Sequence, residues 1–326
     1  MENNLDAWTE NSGALGWTEH QFSTCITWAT IHIAERCPGY WDCSGASLVL
    51  IPRQYRRDVA VIFAKRHDNG GDCWASSDRR VGVGSPFSTL ECVLMLSDLG
   101  MNRTGPVLRN ASRLILDCWL HDGRFRLAPK ASIYPCHTAG AARVLCRLGY
   151  AEDRRLERTF EHLIATAHAD GGWRCKTFKY GRGPETESSN PGPTLDALDA
   201  FRFTKYANRD QILDKAVEFL LDHWVTRKPL GPCHFGIGKL FMQVEYPLRR
   251  YNLFNYVYVL SFYERARSDS RFRQALEALE SKMRGGKVVV ENPHRKLAHL
   301  SFCTKDAPSD AATAHYHEIL QTTAGP

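Results

Sequence analysis

The chain has 326 residues, of which 43% are hydrophobic and 24% are charged, a composition typical of globular proteins. This composition excludes intrinsic disorder and a collagen-like repeat as the main architecture. It contains no apolar run long enough for a transmembrane helix, so no membrane span is expected, and peripheral contact with a membrane stays open.

The net charge of +6 comes from 42 basic and 36 acidic residues scattered along the chain. No Lys/Arg block has the length of a nucleic-acid-binding tail, so we expect no nucleic-acid partner. A mildly basic chain attracts a small anionic molecule at least as well as a polyanion. The first ten residues are polar and acidic, unlike a signal peptide, so we expect a cytoplasmic location. Nothing in the sequence indicates the oligomeric state.

The N-terminal part is predicted to be an arm, 1–17, followed by one helical hairpin, with helices near 18–36 and 53–66. Four further segments then open with a proline and continue with helical periodicity. They begin at Pro86, Pro135, Pro191 and Pro247, which are 49, 56 and 56 residues apart. Proline favours the first turn of a helix, because its missing N–H would have no partner there.

A second helix follows each of these, and the second set is predicted near 105–120, 153–168, 209–225 and 270–284. The second set is amphipathic, whereas the proline-opened set is apolar on more of its surface, so one set is predicted to be inner and the other outer. After Gly285-Gly286, a closing segment, 285–326, holds a short extended piece and a last helix near 308–321. The prediction is a single all-α domain, 1–326, with about eleven helices in five to six helical hairpins.

A recurring turn joins the repeats. It reads Asn69-Gly70-Gly71-Asp72-Cys73-Trp74, Asp122-Gly123-Arg124-Phe125 and Asp170-Gly171-Gly172-Trp173. The glycines end the helix, and the aromatic ring is predicted to fill the space between neighbouring hairpins.

The proline-opened helix, the outer helix and the Asp-Gly-Gly-Trp turn resemble the repeat of the prenyltransferase and squalene-cyclase family. This resemblance covers about 50–320 and is best from 163 to 173. It implies an α/α toroid and an enzyme of the terpenoid cyclase or prenyltransferase type that acts on an isoprenoid-like or other apolar substrate.

The family's acidic motifs, DxDD and DDxxD, are both missing, because the chain contains no Asp-Asp pair. The nearest substitute is Asp196-Ala197-Leu198-Asp199, early in an inner helix. Carboxylates at i and i+3 face the same way, and repulsion with desolvation can keep one of them protonated. Asp196 and Asp199 are therefore candidate acid catalysts; otherwise one caps the first helical turn and the other is solvated.

Three successive connections on the same predicted rim carry a cysteine: Cys136 beside His137, Cys175 after the Gly-Gly-Trp turn, and Cys233 beside His234. Thiolates with an imidazole form a zinc ligand set, so Cys136, Cys175, Cys233 and His234 are predicted to bind zinc, with His137 as the alternative imidazole or a catalytic group. The resemblance adds support, because protein prenyltransferases bind zinc on a similar rim. The other interpretation is a set of buried thiols under long loops.

The same rim supplies further candidates. Glu185, in a long loop, is a candidate acid, base or metal ligand. Arg250 is predicted to bind an anionic group of the substrate, and the aromatic rings of Trp173, Tyr246 and Tyr251 are predicted to line its apolar part. The alternative function is a non-catalytic toroid that binds a lipid or a peptide and uses these cysteines and histidines structurally.

Overall fold

The computed structural model describes residues 51–175 and 180–324. The predicted N-terminal arm and the helix near 18–36 lie outside these residues. The described part contains eleven α-helices, with a 3-10 turn, Arg53–Tyr55, before the first. They are α1 (Arg56–Ala64), α2 (Thr89–Asp98), α3 (Pro106–Leu116), α4 (Pro135–Arg147), α5 (Arg154–Thr166), α6 (Pro191–Phe201), α7 (Gln211–Thr226), α8 (Leu253–Leu260), α9 (Glu264–Arg267), α10 (Ser270–Glu280) and α11 (Asp310–Thr323).

The prediction of a helix-rich fold is confirmed, but the all-α prediction needs a correction, because the closing segment contains a small antiparallel sheet. Its strands are β1 (Met283–Arg284), β2 (Lys287–Val290) and β3 (Ala307–Pro308), in the order β1-β2-β3. Met283 pairs with Val288, and Val290 pairs with Ala307. The extended piece predicted after Gly285-Gly286 is thus the central strand of a sheet that the local sequence did not indicate.

Proline opens α3, α4 and α6 at the first helical position. Two helices of the proline-opened set begin later than predicted. Helix α2 starts three residues after Pro86, because the Ser88 hydroxyl accepts a hydrogen bond from the N–H of Glu91 and caps the helix. Helix α8 starts at Leu253, where the Asn252 side chain caps in the same way.

The two sets of helices pack in chain order. Helix α2 contacts α4, α4 contacts α6, α6 contacts α8, and α8 contacts α11. The second-set helices lie on these, with α3 against α2 and α4, α5 against α4, and α7 against α6. No helix within the described ranges is both long and apolar enough to cross a membrane.

The recurring turn plays the same structural role in successive repeats. The indole N–H of Trp74 donates to the carbonyl oxygen of Ile62 at 2.8 Å, and that of Trp173 donates to Leu163 at 2.9 Å. Both rings are buried and hold the turn against the end of the preceding helix. Gly171 has a φ of +91°, and a Cβ there would lie 2.5 Å from the backbone of Lys215 in α7, so only glycine fits this turn.

A threonine three residues after the opening proline joins each turn to the next helix. The Thr89 hydroxyl donates to the carbonyl oxygen of Cys73 at 2.7 Å. The hydroxyls of Thr138 and Thr194 each accept an N–H of the turn at 3.2 Å, from Phe125 and Trp173 respectively. These joints set the position of the first turn of each helix, and the candidate site lies there.

Candidate active site

One face of α4 organises the site. Cys136, Gly140, Arg143 and Arg147 follow one another at spacings of four, three and four residues, so they lie along one side of the helix. Helix α6 packs along α4 and places Asp196 and Asp199 beside Arg143. The arrangement therefore runs from a thiol at the start of α4, through Asp196, to a set of buried charges.

Buried charges form a group that we call the ion layer: Asp98, Asp199, Arg143, Arg147 and Arg202. Asp199 is fully inaccessible and accepts hydrogen bonds at 2.6 Å from Nε of both Arg143 and Arg202. Nη1 of Arg147 lies 3.8 Å from Asp199. Burial alone raises the pKa of Asp199, but the three guanidinium groups outweigh it and hold the pKa below its ordinary value. Asp199 is therefore an ionised structural group.

The ion layer is fixed by further polar partners. Nη2 of Arg147 donates to Asp98 at 3.2 Å and to Nε2 of His315 at 3.0 Å. Because Nε2 of His315 accepts this bond, its Nδ1 carries the proton and donates to the carbonyl oxygen of Ala311 at 3.1 Å. The guanidinium of Arg202 lies over the ring of Phe262, 3.9 Å from its centre. Each charge thus has partners that restrict its movement.

Asp196 differs from Asp199, although the two lie one turn apart. Its Oδ1 accepts one bond, from Nη1 of Arg143 at 3.1 Å, and 28% of its side-chain surface stays accessible. Burial raises its pKa; Arg143 lowers it and Asp199 raises it further, so the pKa is about 6. Asp196 is therefore a deep, accessible carboxyl group that exchanges its proton near neutral pH.

Cys136, Cys175 and Cys233 lie near one another and form what we call the thiol group, and Cys136 also lies near Asp196. Burial raises the pKa of Cys136 to about 12, with contributions from Cys175, Asp196 and Cys233. Burial and Cys175 likewise raise the pKa of Cys233. The structure thus brings the predicted cysteines of three repeats close enough to oppose one another's ionisation, and Cys136 and Cys233 are protonated at neutral pH.

Asn190, just before α6, connects two members of the thiol group. Its side-chain oxygen accepts the N–H of Cys233 at 3.0 Å. Its own N–H donates to the carbonyl oxygen of Trp173 at 3.0 Å, two residues before Cys175. Asn190 is buried, so the joint is shielded from water. No sequence pattern indicated this role of Asn190.

The two predicted histidines have different surroundings. Nε2 of His234 lies 2.9 Å from Oε1 of Glu185, and this hydrogen bond lowers the pKa of Glu185 to about 2. Glu185 is therefore an anion rather than a proton donor. Nδ1 of His137 is buried and has no hydrogen-bond partner among the described residues, and burial lowers the pKa of His137. Its ring packs edge to face against the ring of Tyr134, with 4.9 Å between the two ring centres.

The donor types of the predicted zinc set, thiols and an imidazole, suit zinc. In the described part of the chain, no three His, Cys, Asp or Glu side chains are grouped so as to hold a metal ion. His234 is paired with Glu185. We therefore derive no catalytic step through zinc, and zinc binding by the thiol group stays a prediction.

The four predicted substrate-binding residues differ in how accessible their side chains are. Tyr246 and Trp173 are fully buried, Tyr246 against Phe302 and His315, so a substrate cannot reach their rings. Tyr251 keeps some exposure, and its hydroxyl lies 2.8 Å from Nδ1 of His223. Arg250 is 62% accessible and has Glu245 at 4.0 Å. Of these four, Tyr251 and Arg250 remain available to a ligand.

A second pair of carboxyl groups shares Arg249, the neighbour of the predicted Arg250. Nε of Arg249 donates to Glu91 at 2.8 Å, and Nη1 donates to Glu245 at 3.3 Å. Burial raises the pKa of Glu245, whereas Arg249 and hydrogen bonds outweigh burial and lower the pKa of Glu91. Arg249 is thus the buried arginine of this segment, and it links α2 to the region before α8.

Sequence reasoning missed Arg143, although a signal was present. Helix α4 is otherwise rich in alanine and apolar residues, and two arginines four residues apart in such a helix indicate buried partners of opposite charge. Those partners come from α2 and α6, which are distant in sequence.

No protein-family model matches the chain, and a search of curated protein sequences finds no significant match.

Proposed function

We propose that this protein is an α/α-toroid enzyme of the terpenoid cyclase or prenyltransferase type, which uses Asp196 as a proton donor to an isoprenoid-like or other apolar substrate. The alternation of two helix sets supports the toroid, since consecutive helices of the first set contact one another from α2 to α8, and α8 contacts α11 of the closing segment. The contacts between each recurring turn and the threonine of the next helix support it as well, because Phe125 and Trp173 donate to Thr138 and Thr194 in the same way in successive repeats.

The observation that carries the proposal is the difference between Asp196 and its surroundings. Asp196 is deep and accessible, whereas Asp199 and Arg143 beneath it are almost inaccessible. A proton donor needs a carboxyl group that is protonated in part of the population and reachable by the substrate; the pKa of about 6 supports the first condition for Asp196, and the accessible 28% of its side chain supports the second.

Proton transfer to a carbon–carbon double bond would form a C–H bond, break the π bond and leave a carbocation on the neighbouring carbon. The Asp196 carboxylate that remains is stabilised by Nη1 of Arg143 at 3.1 Å. Loss of a proton from the cation restores a neutral product and can reprotonate the carboxylate. Protonated thiols beside Asp196 add no charge that would bind water strongly, which suits an apolar substrate.

The test is turnover by the full chain with isoprenoid alcohols, isoprenoid diphosphates and squalene, with products identified by mass spectrometry. Asp196→Asn should lower turnover by roughly a hundredfold or more while the protein stays folded. Activity should fall as the pH rises above about 6, where Asp196 loses its proton. Asp222→Asn, at a carboxylate that is 65% accessible, is the matched control. Equal turnover by the Asp196 variant would exclude Asp196 as the donor.

The second candidate function is a non-catalytic toroid that binds a lipid or a peptide. The absence of any Asp-Asp pair in the sequence favours it, because both acidic motifs of the resembling family need one. The same experiment separates the two: tight binding of an apolar ligand, with no product formed at any pH, would support the binding function.

A further inference from the structure

The recurring turn packs against the next second-set helix in two successive repeats. Gly123 and Gly171 hold equivalent positions in their turns, with φ of +86° and +91°. A Cβ there would lie 2.4 Å from the carbonyl oxygen of Arg158 in α5 and 2.5 Å from the carbonyl carbon of Lys215 in α7. Each of these two residues is the fifth of its helix. The turn and the helix therefore touch backbone to backbone in both repeats.

Gly70 is the equivalent glycine of the first turn, and its surroundings differ. The three atoms nearest to a Cβ at Gly70 all belong to Ser77 of the same turn, at 3.7 to 4.0 Å. The turn is also longer, because Trp74 comes four residues after its glycine, whereas Trp173 comes two residues after its own. Asn110, the fifth residue of α3, is exposed. The first repeat thus leaves a space where the next two repeats have a contact.

That space is a groove of about 340 Å³, which we call the turn groove. Seven residues between 71 and 79 line one side, and Asn110, Arg113, Leu114 and Asp117 of α3 line the other. Spacings of three and four residues place these α3 side chains on one face of the helix. None of the lining residues belongs to the candidate active site, so the turn groove is a separate feature.

The charges of the turn groove leave one guanidinium without a partner. Asp72 is paired with Arg66 at 2.5 Å, and Asp117 is paired with Arg79 at 2.5 Å. Within the described ranges, the exposed guanidinium of Arg113 has no ion pair and no hydrogen bond. The groove therefore has one positive charge in excess, which suits a ligand with a single negative charge.

We propose that the turn groove binds a small organic acid, whose carboxylate pairs with Arg113 and whose apolar part contacts Leu114 and the buried Ala75. A guanidinium binds a carboxylate through two parallel N–H bonds. A phosphate dianion fits less well, because its second charge would be repelled by Asp72 and Asp117. This site goes beyond the proposed function, since it does not involve Asp196.

Benzoate is the probe, because it joins one carboxylate to an apolar ring. A ligand-observed NMR titration of the full chain measures its Kd, with benzamide as the neutral analogue and phenyl phosphate as an analogue that is mostly dianionic at neutral pH. Wild-type protein should bind benzoate roughly tenfold more tightly than benzamide, because a hydrogen bond to a charged group has an effect of this size. Phenyl phosphate should bind more weakly than benzoate.

Arg113→Gln should weaken benzoate binding by roughly tenfold and leave benzamide binding unchanged. Arg109→Gln is the matched control, because it removes the same charge from an exposed position of α3 outside the turn groove. It should leave the Kd for benzoate unchanged. Asn110→Phe fills the groove at an exposed position without changing the charge, so it should weaken the binding of both benzoate and benzamide.

Three results would overturn the proposal: no binding of benzoate, equal affinities for benzoate and benzamide, or equal losses in Arg113→Gln and Arg109→Gln. The last would mean that benzoate responds only to the net charge of +6. Tighter binding of phenyl phosphate than of benzoate would overturn the assignment to a carboxylate. Turnover by Asp196 enters none of these measurements, so this inference and the proposed function can fail independently.

Discussion

Asp196 and Asp199 share a helix and an arginine, yet they lie in regions of opposite character. Asp199 belongs to the ion layer, where three guanidinium groups surround it and no water reaches it. Asp196 lies between the ion layer and the thiol group, with one bond to Arg143 and 28% of its side chain accessible. In the ion layer each charge has a partner of opposite charge. Around Asp196, part of the carboxyl group remains accessible to another molecule.

The difference shows how a charged layer can support an acid. With Asp196 ionised, the ion layer and Asp196 together contain three arginines and three aspartates, so protonating Asp196 leaves one positive charge in excess. Arg143 therefore favours the carboxylate, while burial and Asp199 favour the neutral acid, and the balance gives a pKa of about 6. Asp199 keeps its charge throughout, so it holds Arg143 in place during any proton transfer.

The largest expected effect comes from breaking the ion layer. Asp199→Asn leaves Arg143, Arg147 and Arg202 buried without their shared carboxylate, which should lower the free energy of unfolding by about 3 to 5 kcal/mol. Urea unfolding at pH 7 measures it. Glu161→Gln removes the exposed partner of Arg158 and should cost less than about 1 kcal/mol. Similar losses in the two variants would mean that the ion layer is hydrated rather than buried.

A smaller effect, with a defined pH dependence, is expected from Asp196→Asn. The pKa of Asp196 is about 6 in the folded protein and about 3.9 in the unfolded chain. The folded protein therefore binds this proton more tightly, and the stability that it contributes is complete below pH 4 and lost as the pH rises through 6. Over that window wild-type protein should lose about 2 to 3 kcal/mol more than the variant.

Urea unfolding of both proteins from pH 4 to pH 8 checks this prediction, and the difference between the two curves isolates Asp196 from the other titrating groups. For Asp199 we expect the opposite pH dependence of stability, because folding lowers its pKa. Its contribution to the free energy of unfolding is present above pH 4 and lost at lower pH. Parallel curves for wild type and Asp196→Asn would show that folding does not raise the pKa of Asp196.

The sequence predicted the features that depend on local pattern. Proline positions, amphipathic periodicity and the Gly-Gly-Trp turn indicated the order of helices, and the structure shows the same turn geometry at Trp74 and Trp173. Repeat spacing also indicated that Cys136, Cys175 and Cys233 would be neighbours, because equivalent loops of adjacent hairpins lie side by side.

The distinction between Asp196 and Asp199 could not be predicted from the sequence. Both lie on one helix face, and their environments depend on Arg143 and Arg147 from another repeat. Aromatic rings suit a ligand cavity and a hydrophobic core equally well, so the sequence could not decide between the two for Tyr246 and Trp173. Three-dimensional packing decides it, and both rings are buried. The sheet of the closing segment depends on pairing between residues up to about twenty positions apart, which periodicity does not show.

The smallest expected effect concerns the thiol group and sharpens the contrast between the two regions. Zinc would replace the thiol protons and remove the repulsion that opposes ionisation of Cys136. We expect protein from zinc-supplemented medium to carry close to one zinc per chain, and a chelator to lower its unfolding temperature. Zinc at ten times its Kd would add only about 1.4 kcal/mol. Cys175→Ser should abolish both effects, whereas Cys146→Ser, at a buried thiol near Asp199, should leave them in place. Protein without zinc would contradict the predicted zinc site and leave the thiol group as protonated side chains, of which Cys136 lies near Asp196.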